Sequence, residues 1–426
     1  MKPELARRIA FTLGALLVFR LGTYLPLPGI TPDPRVTGGS FSIFSLSILP
    51  YISAAILIQL LSMVSSKLRA LIRSGDAGRR KIRRYTIGLA VLLAVLQTFG
   101  MASGLQRGVP NLVEPGALFL LSTVVSLTGG TIFLIWLSEQ ITARGIGNGL
   151  ALILFADVAA EMPAAIGSMV ELTRQGAVSL ARVSLVTILW VALVGLVVLM
   201  ELARRRVPVE FSARKLGDHR LPAQSTDLSL KLNSAGLMPT VVGPWLYMLP
   251  LSIVGLVFDP NSPWLATIYG LVTQAPWGRL ILSSVAIFIF AFIYTASVVD
   301  PDHAADSLKQ RGGVIPDIEP GEATAAHLDR VVSYTTCVGA AYLTAVFLIP
   351  ELFLNYAQVP FILGGTSVLI VVCTVLDIET QVRGRTLTKP GAFTHETDSS
   401  RAAWSGQGHP GTASGSEARH HPALDR

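Results

Sequence analysis

The chain has 426 residues, 51% hydrophobic and 14% charged, with a mean hydropathy of +0.56 and a formal net charge of +7. That balance excludes an ordinary soluble domain and indicates an integral membrane protein, whose basic excess belongs in orientation-setting loops rather than on a nucleic acid. Cys337 and Cys373 both fall in apolar runs and form no CxxC, so neither a disulfide nor a metal site is expected.

Runs of about twenty apolar residues predict ten spans, at 8–26, 47–66, 85–104, 116–138, 149–170, 182–203, 233–258, 279–299, 331–350 and 360–380. The first leads on without an A-x-A-type cleavage site and is read as a retained helix. Its Arg20, the one basic residue deep in a span, is expected to snorkel or pair within the bundle. Pro50, Ser53 and Gln59 interrupt the second span, Gly129 and Gly130 the fourth, and Asn233, Gly236 and Pro239 open the seventh. Such groups are tolerated where they face protein or a water-filled cavity, so the bundle is expected to enclose something polar.

Between spans four and five, EQITARGIGNG (139–149) places Gly145, Gly147 and Gly149 where a sharp turn is needed, and Asn148 where it can cap the next helix. Taken alone, a tight turn between two helices accounts for it. Basic residues crowd two loops, Lys67 to Arg84 and Arg204 to Lys231, while the alternate loops hold few, which places both termini in the cytoplasm. Arg204, Arg205 and Arg206 are read as continuing the end of the sixth helix, where they suit its dipole. Loops 204–232 and 300–330 are long enough to dock partners. Residues 1–175 and 176–385 divide as two five-span halves, an odd number that permits an inverted repeat. Residues 386–426, rich in Gly, Ser, Pro, Thr and His, are expected to form a disordered cytoplasmic tail.

The sequence lacks GxxxxGK[ST], HExxH and GxSxG motifs. Glu139 and Asp377 lie at span ends, and no carboxylate pair is read at mid-membrane, which argues against an enzyme, a cofactor or an ion-coupled carrier. A pore with large basic loops remains, with a small-solute transporter built on inverted repeats as the alternative.

Six stretches then resemble the SecY family in order: FRLGTYLPLPGI (19–30), SIFSLSILPYISAAILIQLL (42–61), GRRKIRRYT (78–86), FLIWLSEQITARGIGNG (133–149), LPAQSTDLSLKLNSAGLMP (221–239) and VPFILGGTSVLIVV (359–372). The resemblance implies an all-α fold of ten helices in two inverted halves around an hourglass channel in the bacterial plasma membrane, conducting unfolded polypeptides and releasing hydrophobic segments into lipid. By motif position it assigns an aliphatic pore ring to Ile48, Ile52, Leu150, Leu154, Val241 and Ile370. It assigns a lateral seam between spans two and seven, with Ser53, Gln59 and Asn233 as its polar groups. Docking of a SecA-like motor ATPase or a ribosome would use Arg204, Arg205, Arg206, Arg214, Lys215, Arg220, Lys309, Arg311 and Glu319. Other implied partners are SecE-like and SecG-like companion subunits, signal peptides and membrane lipids; no cofactor is implied. Two departures stand out. TPDPRVTGG (31–39) is too short and too rich in Pro and Gly for the family's plug helix, and in VIPDIEPGEAT (314–324) Glu319 replaces a usual arginine. Both suggest a specialised or impaired second-copy translocon as a variant reading.

Overall fold

The computed structural model describes residues 3–30, 41–108, 116–211, 214–216, 219–221, 224–257, 262–357 and 364–387. The plug-length segment 31–39 and the tail beyond 387 therefore lie outside the described residues. Ten long helices take up the predicted spans: α1 (Pro3–Gly22), α2 (Leu49–Val64), α4 (Asp76–Gly108), α5 (Ala117–Arg144), α6 (Gly149–Arg174), α7 (Leu180–Leu202), α8 (Met238–Val257), α10 (Pro276–Val298), α12 (Glu322–Ala357) and α13 (Gly365–Leu387). Shorter helices α3 (Ser66–Arg73), α9 (Pro263–Tyr269) and α11 (Pro301–Arg311) connect them. Among the described residues, seven helices are each long and apolar enough to cross a bilayer, and the pair α2 and α3, bent by 111°, makes an eighth.

Several helices outrun their apolar windows. α4 begins at Asp76, so the basic run Arg79 to Arg84 is helical, and α12 begins at Glu322, nine residues before the predicted span. Backbone hydrogen bonding continues past the apolar stretch because nothing in these polar extensions breaks it. The first helix ends at Gly22, which corrects the placing of Arg20: it lies in the last turn of α1, with its guanidinium 4.7 Å from the Tyr24 ring centroid and donating to Tyr24 Oη at 2.8 Å.

In the amino-terminal half α2 packs on α4 and α4 on α5; in the carboxy-terminal half α10 packs on α8 and α12. The halves meet chiefly where α13 lies against α6, whereas α2 touches α8 and α10 only lightly.

Beside the helical membrane part, the loops expected to dock partners carry short strands. β1 (Arg204–Phe211) pairs antiparallel with β4 (Gln224–Lys231), and β1 also pairs with β5 (Gly313–Val314) from the other loop. β2 (Arg214–Leu216) and β3 (His219–Leu221) form a separate ribbon between them, which carries Arg214, Lys215 and Arg220. Arg204, Arg205 and Arg206 do not continue the sixth helix, contrary to expectation. α7 stops at Leu202, Ala203 turns extended, and Pro208, which lacks an N–H and crowds the turn before it, disfavours carrying the helix through 204–207. Alternating Val207 and Val209 instead point inward and join Leu230, Val299, Ala304, Ile315, Leu328 and Val332 in one small apolar core. The two loops thus form a single mini-domain.

Candidate functional site

Ile48 precedes α2 and Ile52 lies one turn into it, Leu150 and Leu154 lie one turn apart on α6, Val241 sits on α8 and Ile370 on α13. The structure brings all six into one apolar cluster, five of them buried and Leu150 half-buried against them. The six come from α2, α6, α8 and α13, and the same cluster also takes in residues of α1, α4, α5 and α10. Branched aliphatic side chains packed in this way exclude water and ions while remaining deformable.

The entry into α2 is fixed by packing. Phe44 stacks between Phe19 of α1 and Phe133 of α5, with ring centroids 6.0 and 5.9 Å away and planes within 5°. Gly130 of α5 leaves room for the backbone carbonyl of Ile43, since a Cβ there would come within 2.1 Å of that oxygen. Neighbouring Gly129 faces open space. Ser47, at φ +51°, then turns the chain into the helix.

The glycine loop does more than turn. Only Gly147 needs positive φ, at +85°. Gly149 is required by close approach, because a Cβ would lie 1.9 Å from the Ser138 carbonyl oxygen. Asn148 Oδ1 accepts from Leu150 N–H at 3.0 Å, the cap that the sequence suggests. Ile146 N–H donates to Thr12 Oγ1 of α1 at 3.0 Å and Gly147 N–H to Gln381 Oε1 of α13 at 3.0 Å, so the loop ties the two halves. A further tie runs from Thr374 Oγ1 on α13 to the Ala151 carbonyl on α6, at 3.4 Å.

On the lightly packed side, Gln59 of α2 donates from Nε2 to Ser297 Oγ of α10 at 2.9 Å, and Ser53 is buried on the same helix. Asn233 has a different setting: its Nδ2 donates to Glu201 Oε1 at the end of α7, at 2.7 Å, and to the Gly236 carbonyl at 3.1 Å. It pins the base of the mini-domain hairpin to α7. Ser297 and Glu201 were not singled out in the sequence, because a serine or a glutamate at a span end carries no signal until its partner is known. Arg204, Arg205, Arg206, Lys309, Arg311 and Glu319 are all exposed on the mini-domain.

One reading needs correction. Asp157 and Glu161 form an i, i+4 carboxylate pair inside α6, so acids do stand within a span.

Comparison with known proteins follows from this arrangement. The family profile described as SecY matches residues 42–379. The protein translocase subunit SecY of Escherichia coli (strain K12) is 41% identical over 406 residues, covering 89% of this chain and 91% of that protein. The chain belongs to the SecY family. SecY of Vibrio cholerae is 40% identical over 408 residues, with the same coverage. Among solved structures, one described as showing that "the plug domain of the SecY protein" stabilises the closed translocation channel matches with a TM-score of 0.66 at 17% identity, covering 90% of this chain and 93% of that one. The canine Sec61 of a ribosome-channel complex matches with a TM-score of 0.61 at 16% identity, over 90% and 93%. These last two likenesses speak for the fold. The chain is thus a multi-pass bacterial membrane protein and a protein translocase subunit of the SecY type, a channel family rather than a catalytic one.

Proposed function

We propose that the apolar cluster is the pore ring of a polypeptide channel, with the halves 1–175 and 176–385 closing around it and both termini in the cytoplasm. The observation that supports this reading is that Ile48, Ile52, Leu154, Val241 and Ile370 belong to one buried apolar cluster that draws on both ends of the chain, with Leu150 packed against it. An aliphatic gasket holds no fixed ligand, which suits a passing chain of any sequence and not a carrier of small solutes. The seam between α2 and the α8–α10 pair is the side that opens toward lipid, held at Gln59 and Ser297, while α6 and α13 act as the hinge. The mini-domain, with Arg204, Arg205, Arg206 and the Lys309–Arg311 helix end exposed, is the docking platform for a motor ATPase or a ribosome; the ribosome-channel complex of the canine relative supports the latter. Small companion subunits complete the assembly.

The test is crosslinking of a stalled secretory chain to cysteines placed at Ile52 and Ile370, in the assembled complex. Crosslinks at both are expected. Their absence at both, with crosslinks elsewhere in the bundle, overturns the ring.

A further inference from the structure

We propose that Asp157 and Glu161 form an acidic collar just beyond the ring, on the side away from the mini-domain, and bias the passing chain by charge. The inference rests on the ring reading above. Leu150, Leu154, Asp157 and Glu161 follow at steps of four, three and four residues and so share one face of α6. If the two leucines face the passage, the two carboxylates continue that stripe, about 4.5 Å and about 10.5 Å further along the axis than Leu154.

A second observation places Asp157 there independently of helix register. Its carboxylate is within electrostatic reach of Ser47, the residue before Ile48 of the proposed ring, and of Glu161 and Arg20. Ser47 is 6% exposed, and its Oγ has no hydrogen-bond partner among the described residues. Direction follows from the chain. α6 starts at Gly149 beside the end of α13 and runs away from the mini-domain, and Ser47 and Arg20 lie at the opposite ends of α2 and α1 from it. Arg20 is engaged by Tyr24, so it offsets the collar only in part.

Two carboxylates on a narrow passage with low-dielectric walls focus a negative potential. Basic stretches of a translocating polypeptide are drawn through, acidic stretches are retarded, and small cations are preferred over anions. Neither residue is among the apolar side chains of the cluster, so the collar tunes specificity and does not form the gasket.

The experiment uses the full chain with its companion subunits in right-side-out vesicles, with Cys337 and Cys373 replaced by alanine. Glu161→Cys is labelled from outside with membrane-impermeant methanethiosulfonates of opposite charge. The cationic reagent is expected to react faster, and adding Asp157→Asn should lower the cation-to-anion rate ratio by about threefold or more. A ratio unchanged by Asp157→Asn, with Glu161→Cys still reactive, overturns the collar while leaving the ring standing. No reaction with either reagent also overturns it, and crosslinking at Ile52 and Ile370 then decides the ring separately. Circular dichroism of the purified variants guards against misfolding.

Discussion

At the scale of single residues, two positions carry forces that can be measured. Gly149 meets the Ser138 carbonyl so closely that a methyl group must displace backbone, not a flexible side chain. Gly149→Ala should therefore destabilise the packing of α5 on α6 by about 2 kcal/mol or more. A lowered melting temperature of the detergent-solubilised complex would register this, and an unchanged one refutes the packing argument. Ser297 acts differently. Ser297→Ala removes the acceptor of the Gln59 hydrogen bond without changing helix packing, at a cost of about 0.6 kcal/mol to the closed seam. That is near threefold in an opening equilibrium, so a reporter with a weakened signal sequence should be exported more readily. Unchanged export would show that this bond does not hold the seam.

At the scale of elements, the mini-domain separates stability from docking. Leu328 of α12, fully buried against the strands, holds both loops together; Leu328→Ala should cost about 2–5 kcal/mol and expose 204–231 to limited proteolysis. Arg205→Glu, on the exposed face, should leave the protease pattern intact and weaken ribosome or motor binding. If both variants behave alike in the two assays, the division fails. These strands were hidden in the sequence for a physical reason. Ten helices could be read from apolar runs because lipid imposes one continuous signal per span. The strand pattern of Val207 and Val209 is only two residues deep, and the second strand that pairs with β1, Gly313–Val314, lies about a hundred residues away in the other loop. Asn148 was legible as a cap because its partner is local, whereas Gln381, Glu201 and Ser297 act across the fold. The six residues proposed for the ring were assigned only through the family resemblance, since aliphatic side chains in a membrane helix look like packing anywhere. The 157/161 acids were passed over among the apolar residues around them.

At the scale of the whole molecule, the contact between halves is lopsided, and that asymmetry sets how it can move. α6 and α13 pack together and are tied, at the start of α6, by Thr374 to Ala151 and by Gln381 to Gly147. Across from them, α2 meets α8 and α10 lightly, with Gln59 and Ser297 as the polar link. Separating the halves at the first contact loses more close packing than separating them at the second, so the proposed opening is expected to rotate about α6 and α13. Cysteines at Gln59 and Ser297, joined by a short reducible thiol crosslinker in a variant lacking Cys337 and Cys373, should block export of a signal-bearing reporter and release it on reduction. The same crosslinker between Ala151→Cys and Thr374→Cys should leave export largely intact, because those residues stay together throughout the motion. Equal inhibition at the two places would mean that the halves part as rigid blocks, or that the hinge lies elsewhere. Inhibition at the second place alone would reverse the assignment of hinge and seam.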